Sequence, residues 1–108
     1  MSIIELEPFV SSPFAVHYGS VAGYERFAGE YFIDETNNIK HDIIKVWYSP
    51  TNQYSMLDGQ YGHCWLATLQ NNETKEKHTY YMRNWEDLVE YCRIKGMGFS
   101  YDIKRHTK

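Results

Sequence analysis

Two strand patterns and a helix pattern follow one another between residues 63 and 96, and this segment constrains the fold most. Residues 63–69 are mostly apolar and include Trp65 and Thr68, and residues 78–83 include Thr79, Tyr80 and Tyr81, which are residue types typical of strands. The polar run over residues 70–77 between them predicts a turn. Because the two patterns are close in sequence and joined by a polar run, they predict an antiparallel hairpin.

A hairpin centred on this turn defines which residues face each other. The predicted pairs are Leu69 with His78, Ala67 with Tyr80, and Trp65 with Met82. One face then carries Trp65, Ala67, Leu69, Tyr80 and Met82, and the other carries Cys64, Leu66, Thr68, Thr79, Tyr81 and Arg83. The first set is almost wholly apolar, so that face must pack against another element of the protein.

The next segment predicts that element, a helix over about residues 85–95. Asn84 is a suitable N-cap, and Asp87 at the third helical position complements the cap and the helix dipole. Gly96 stands where a glycine commonly ends a helix. An apolar stripe at helical spacing consists of Trp85, Leu88, Val89 and Cys92. We expect this stripe to pack on the apolar face of the hairpin.

Further strands are predicted on both sides of this unit. Residues 30–34 and 39–48 carry strand patterns, and Phe99, Tyr101 and Ile103 alternate with polar residues as in a half-buried strand. The complete pattern predicts an α+β fold. In it, an antiparallel sheet of four to five strands carries the helix at about 85–95 on one face.

Residues 20–32 fit two structures. Ser20 suits an N-cap, and apolar residues then recur at helical spacing: Val21, Tyr24, Phe27, Ala28, Tyr31 and Phe32. Gly23 and Gly29 each weaken such a helix by up to about 1 kcal/mol relative to alanine. We predict a short N-terminal helix followed by the strand at 30–34, and a glycine-punctuated strand is the alternative.

The chain of 108 residues has the length of a single globular domain. Residues 1–12 are predicted to form an extended arm, because Pro8 and Pro13 disfavour helix in the residues before them. Residues 14–18 suit a short strand, and residues 104–108 suit a frayed tail.

Several sequence features favour a cytoplasmic protein with no membrane partner. The sequence has no apolar run of the roughly 20 residues that a membrane-spanning helix needs. Its N-terminus is acidic, whereas a secretory signal begins with basic residues. In the cytoplasm Cys64 and Cys92 are expected to be free thiols.

Charge is unevenly distributed along the chain. Residues 1–60 contain eight carboxylates and three cations, a net charge of −5, whereas residues 61–108 contain six carboxylates and eight cations, a net charge of +2. The asymmetry is mild. It argues against a wholly acidic polyanion mimic and against a strongly basic nucleic-acid binder.

No pattern in the sequence predicts a catalytic residue, a metal site or a cofactor. The soft-ligand residues His17, His41, His63, Cys64 and His78 do not fall into a paired zinc motif. Of the two cysteines, Cys92 lies on the apolar stripe of the helix, where a thiol is expected to be inert. A small enzyme with an unrecognised site is therefore an alternative without a residue assignment.

The excess of aromatic residues indicates a recognition surface. Ten of the 108 residues are tyrosine and three are tryptophan, the two residue types most enriched at binding hot spots. The connection over residues 49–62 is long for a hairpin loop and holds two of these rings, Tyr54 and Tyr61. A strand over 54–57 with a turn at Asp58-Gly59 is the alternative structure. The predicted protein-binding residues are Trp47, Tyr48, Tyr54, Met56 and Tyr61.

A single-strand nucleic-acid binder is an alternative function. Aromatic side chains on a sheet, flanked by cations, bind single strands by stacking and charge. The residues that would form such a surface are Tyr81, Arg83, Arg93, Lys95, Tyr101, Lys104 and Arg105. The acidic balance of the whole chain disfavours this alternative.

The leading hypothesis is a small non-enzymatic protein that binds a protein partner through an aromatic surface. By analogy of size and composition, such a chain resembles accessory proteins of phages and mobile elements, which inhibit host factors by covering a functional surface. A homodimer formed through an exposed sheet edge or aromatic patch is a further alternative.

Overall fold

The computed structural model describes residues 2–5, 23–56 and 63–106. Its strands are β1 (Ser2–Glu5), β2 (Tyr31–Asp34), β3 (Ile39–Tyr48), β4 (Trp65–Asn71), β5 (Lys77–Met82) and β6 (Met97–Phe99). Its helices are α1 (Trp85–Ile94), α2 (Ser100–His106) and a short 3-10 helix (Tyr24–Phe27).

All these strands belong to one sheet, in the order β1-β5-β4-β3-β2-β6. The pairs β5–β4, β4–β3, β3–β2 and β2–β6 are antiparallel, and β1 pairs in parallel with the other edge of β5. Since α1 packs on one face of this sheet, the predicted α+β architecture is confirmed.

The β4–β5 hairpin has the predicted register. Leu69 lies opposite His78, and Trp65 lies opposite Met82. The front face of the sheet, defined here as the side of Ala67 and Met82, packs against α1. The back face is the opposite side, where Thr68 and Thr79 are buried with their Oγ1 atoms 3.0 Å apart.

Helix α1 begins and ends as its sequence predicts. The Asn84 side chain accepts a hydrogen bond of 2.9 Å from the backbone N–H of Asp87, and the helix ends before Gly96, which has a φ of 87°. Trp85, Leu88 and Cys92 are fully buried against the sheet. The apolar stripe therefore covers the apolar face of the hairpin, which is the packing expected from the two patterns together.

Aromatic rings form much of the front core. The 3-10 helix supplies Tyr24 and Phe27, whose rings lie 4.7 Å from the Trp65 ring and 4.9 Å from the Trp85 ring, respectively. The ring of Phe99 in β6 lies 5.3 Å from that of Phe27. Many of the rings that suggested a recognition surface are therefore needed to fill this core.

The prediction of a short helix before the strand at 30–34 is confirmed as a single 3-10 turn followed by β2. Gly23 has a φ of 101° and Gly29 a φ of 97°. Since these left-handed conformations favour glycine, they confine the helix to the residues between them. The predicted cap at Ser20 lies outside the described residues.

The predicted strand through Phe99, Tyr101 and Ile103 is wrong beyond its first residue. Strand β6 ends at Phe99, and α2 begins at Ser100. The Ser100 Oγ accepts a hydrogen bond of 3.0 Å from the backbone N–H of Tyr31. This bond replaces the ladder bond that a longer β6 would provide, so the chain can turn into a helix without leaving that N–H unpaired.

Some predicted features lie partly or wholly outside the described residues. Part of the predicted arm forms β1, and its remainder lies outside them, as does the predicted strand over 14–18. The backbone of residues 104–106 in the predicted tail belongs to α2, and residues 107–108 are not described.

Candidate contact surface

A β-bulge in β3 shapes the back face of the sheet. Ile43 lies opposite Leu69 and Lys45 lies opposite Thr68, so Ile44 is an extra residue in the ladder. Ile43 and Val46 are both buried in the front core. The two residues between them are both exposed, and the Ile44 side chain is 42% exposed. The bulge therefore places an aliphatic and a cationic side chain side by side, away from the core.

Lys45 belongs to the first of two lysine–aromatic pairs on this face. Its Nζ lies 4.6 Å from the centroid of the Trp47 ring. Trp47 lies opposite the buried Leu66 and Lys45 opposite the buried Thr68, two residues of the back face. The distance is within the range of a cation–π interaction.

The second pair joins β2 to β3. The Lys40 Nζ lies 4.6 Å from the centroid of the Tyr31 ring. Lys40 and Asp42 alternate with the front-facing Ile43, so they lie on the back face, and Tyr31 lies opposite Asp42. Both cation–π pairs thus lie on the back face of the sheet.

The one acidic residue between the lysines on β3 has a different partner. Asp42 Oδ2 accepts a hydrogen bond of 3.0 Å from the side-chain amide of Asn72 in the β4–β5 turn. Among the described residues neither Lys40 nor Lys45 forms an ion pair. Their ammonium groups therefore keep hydrogen-bond donors available to a partner.

Asn52 holds the first half of the predicted recognition loop in place. Its side-chain amide donates to the carbonyl oxygens of Ser49 at 2.7 Å and His63 at 2.9 Å, and its Oδ1 accepts from the backbone N–H of Tyr54 at 2.7 Å. The Ser49 N–H donates to the Cys64 carbonyl at 2.7 Å. These bonds tie both ends of the loop to one side chain.

Tyr54 is thereby placed against the back face. Its ring lies 4.4 Å from the ring of Tyr81 in an edge-on arrangement. Burial raises the pKa of the Tyr81 hydroxyl, and the nearby Tyr54 raises it further. Tyr81 lies opposite Leu66, and Leu66 lies opposite Trp47, so a row of side chains crosses the back face from the loop to β3.

We call the exposed and half-buried residues of β2 and β3 on this face, together with the loop ring beside them, the back-face strip. Its members are Tyr31, Lys40, Ile44, Lys45, Trp47 and Tyr54. The strip combines rings, one aliphatic side chain and two cations on rigid strands and on a loop fixed by Asn52.

The predicted protein-binding residues are only partly brought together. Trp47 and Tyr54 belong to the strip. Tyr48 is 49% exposed but contacts the front-face Trp65 at a ring distance of 5.1 Å. Met56 is 53% exposed in the loop, and Tyr61 lies outside the described residues. Residues 51–56 form turns, so the alternative strand is absent as far as Met56.

The predicted nucleic-acid residues are not gathered on one sheet face. Tyr81 lies on the back face, whereas the Tyr101 ring packs 5.3 Å from Phe27 and belongs to the front side. The cations are engaged elsewhere: Arg83 with Asp87 at 2.9 Å, Arg93 with Glu90 at 2.6 Å, and Lys95 over the Tyr91 ring at 5.0 Å. Lys104 and Arg105 lie in α2, and their side chains are outside the described part of the chain.

The described residues show little that suits catalysis. They hold no group of three or more His, Cys, Asp or Glu side chains that could bind a metal ion. Both Cys64 and Cys92 are buried, and burial raises the pKa of the Cys92 thiol, which disfavours the nucleophilic thiolate. A groove of about 390 Å³ between α1 and α2 is mostly apolar; its lining consists of Val89, Arg93, Met97, Gly98, Phe99, Asp102 and Ile103.

Sequence reasoning missed four members of the strip: Tyr31, Lys40, Ile44 and Lys45. Strict alternation places Lys45 on the front side with Ile43, and only the bulge moves it to the back. One signal was available in the sequence. Two apolar residues three positions apart inside a strand, Ile43 and Val46, can share a face only if the strand contains an extra residue.

Comparisons with known proteins add no relative. No protein-family model, curated protein or solved structure matches this chain. Among the described residues, no helix is both long enough and apolar enough to cross a membrane.

Proposed function

We propose that this chain is a small non-enzymatic binding module that docks on a protein partner through the back-face strip. The observation that carries the proposal is the presence of two lysine–aromatic pairs, Lys40 with Tyr31 and Lys45 with Trp47, on one sheet face, with exposed lysines and half-buried rings. Tyrosine and tryptophan are enriched where binding energy concentrates.

The rigidity of the strip supports the same proposal. Each ring has few rotatable bonds, and the strands hold Tyr31 and Trp47 in a fixed register. Asn52 fixes the loop that carries Tyr54. Side chains that are already ordered lose little conformational entropy on binding, so more of the contact energy contributes to affinity.

We further propose that the protein acts in the cytoplasm, where it inhibits its partner by covering part of the partner's surface. A preordered strip of this kind is suited to covering the functional surface of a host factor, as accessory proteins of phages and mobile elements do. This part of the proposal rests on the size and aromatic content of the chain, not on a motif.

The test begins with capture of the partner from the native cell and measurement of its affinity by calorimetry. Trp47→Ala and Tyr54→Ala are each expected to weaken binding by about tenfold or more, as hot-spot truncations do. Tyr48→Ala is the matched control, because it removes an exposed ring on the front side. Unchanged affinity in the Trp47→Ala and Tyr54→Ala variants would overturn the site.

A second function is favoured by the same pairs. Partly exposed rings on a sheet face, flanked by cations, also suit stacking with the bases of a single strand. This alternative predicts that a short oligothymidylate binds at low salt, and that its affinity falls steeply as salt rises. Absence of binding at low salt would remove it.

A further inference from the structure

Among the described residues, the two lysines of the strip have no acidic partner, unlike Arg83 and Arg93. Arg83 and Arg93 pair with Asp87 and Glu90 at 2.9 and 2.6 Å. Lys40 and Lys45 instead lie over rings at 4.6 Å. A ring face orients an ammonium group but does not accept all of its three N–H donors, so the remaining donors are open to an external acceptor.

The spacing of these lysines is fixed by β3. They are five positions apart with the bulge between them. At about 3.3 Å per residue, and with one residue taken up by the bulge, their Cα atoms are about 13 Å apart. Ile44, which is 42% exposed, lies between the two lysines in sequence. Asp42, whose carboxylate accepts from Asn72, also lies between them on the back face, and Ile44 is the exposed aliphatic side chain between the two cations.

This inference rests on the proposed function: we infer that the protein partner presents an acidic surface, with a carboxylate facing each of Lys40 and Lys45 and an apolar centre facing Ile44. The carboxylates accept from the ammonium groups of Lys40 and Lys45, and the apolar centre packs on Ile44, which is 42% exposed. Electrostatic complementarity of this kind selects the partner and speeds the encounter.

Two other occupants fit the strip less well. A two-fold pairing of the strip with a second copy brings four ammonium groups together, which costs energy through like-charge repulsion. A nucleic acid supplies anionic oxygens along its whole length, whereas the strip offers only two cations with the Asp42 carboxylate between them on the same face.

The test uses a displayed library of random peptides as the probe. It is selected in parallel on the wild type, on the charge-reversed K40E/K45E variant and on W47A. A K75E/K95E variant is the matched control, because it makes the same change in net charge at two exposed lysines outside the strip. A K40R/K45R variant keeps the charge and the ring contact, and it checks that binding survives a conservative change.

The expected result is enrichment of peptides with two acidic residues around an apolar centre. These peptides bind wild type, K75E/K95E and K40R/K45R alike, bind K40E/K45E about tenfold more weakly, and lose affinity as salt rises. Selection of neutral or basic peptides that require Trp47 but not the lysines overturns the acidic partner and leaves the proposed function standing.

Three other outcomes would contradict the proposed binding site or the class of the partner. Peptides that bind W47A and K40E/K45E as tightly as the wild type place protein binding elsewhere, and they contradict both the acidic partner and the proposed site. If no peptide is enriched but oligothymidylate binds in a lysine-dependent way, the partner is a nucleic acid and the inference of an acidic protein partner is wrong. If no peptide is enriched and oligothymidylate does not bind either, the inference is also wrong.

Discussion

The Ser100 hydroxyl donates a hydrogen bond of 2.7 Å to Glu30 Oε1, and so connects residues 70 positions apart in sequence. The same oxygen accepts from the backbone N–H of Tyr31 at 3.0 Å. Ser100 is fully buried. This one side chain therefore fixes the start of β2 against the start of α2, at the point where β6 ends.

Replacing Ser100 with alanine is expected to destabilise the protein. The change removes the acceptor for the Tyr31 N–H and the donor to Glu30, and a partly buried backbone group without its partner costs about 1–3 kcal/mol in the free energy of unfolding. Urea unfolding measures the change. Thr51→Ala, at an exposed turn position, serves as the control and is expected to stay within about 0.5 kcal/mol of the wild type. Equal stability of the two variants would contradict the role of Ser100.

Replacing Asn52 with alanine is expected to loosen the loop before it affects the sheet. The variant loses the bonds to Ser49, His63 and Tyr54, all between 2.7 and 2.9 Å. A cost of about 1–3 kcal/mol is expected, because carbonyl groups lose their donor. Hydrogen exchange should show faster exchange of the Tyr54 amide while the amides of β4 stay protected.

The neighbouring Gln53→Ala variant is the control for the loop, since Gln53 is exposed. Its Tyr54 amide is expected to exchange at the wild-type rate. If Asn52→Ala leaves the exchange of Tyr54 unchanged, the loop is held by contacts other than the three side-chain bonds, and the preorganisation argument for Tyr54 fails.

The central hairpin and α1 could be predicted from sequence because their signals are local. The pairing of Leu69 with His78 follows from the position of the turn, and the Asn84 cap and Gly96 delimit the helix within ten or so residues. Both patterns also agree on which face is apolar. When turn, cap and periodicity point to one arrangement, the sequence specifies it without knowledge of distant contacts.

The parts that could not be predicted depend on long-range contacts. The end of β6 is decided by Ser100, whose partners Glu30 and Tyr31 are about 70 residues away. The alternation of Phe99, Tyr101 and Ile103 with polar residues is compatible with a strand, but the buried hydrogen bonds of Ser100 favour the start of a helix there. Most of the strip was missed for a related reason: the bulge reverses the face of Lys45, and the ring that receives the Lys40 ammonium belongs to another strand.

Acidification from pH 7.5 to 5.5 is expected to lower the stability of the protein through His41. Burial holds the pKa of His41 below its usual value; the Asp34 carboxylate opposes this shift, His78 adds to it, and Asp42 opposes it. A folded-state pKa below the unfolded value means that the unfolded state binds the proton more readily. Stability is then complete above the unfolded pKa of about 6.5 and decreases as the pH falls toward the folded pKa.

The pH effect is measured by urea unfolding at the two pH values. In His41→Gln the decrease is expected to be smaller, because the titrating group is gone. In Asp34→Asn it is expected to be larger, because the carboxylate that raises the pKa of His41 has been removed. An Asp34→Asn variant with a smaller decrease than the wild type would show that the sign of this interaction is wrong.

Deletion of Ile44 is expected to leave the protein folded. The ladder of β3 pairs Ile43 with Leu69 before the bulge and Val46 with Ala67 after it. Removing the extra residue restores strict alternation, so Ile43 and Val46 stay on the front face and the register on both sides is kept. The free energy of unfolding should change by about 1 kcal/mol or less, as for other exposed positions.

Deletion of Asp42 is the contrasting variant, because it lies on the other side of the bulge. The four pairs of β2 are made with residues 39–42 of β3, and a one-residue shift there turns each remaining side chain to the opposite face. That variant should be destabilised by about 3 kcal/mol or more, since buried side chains such as Phe32 lose their neighbours. NMR contacts of Ile43 with Leu69, kept on deletion of Ile44, would verify the register. Equal destabilisation by the two deletions would show that the bulge itself is required for folding, rather than only for shaping the strip.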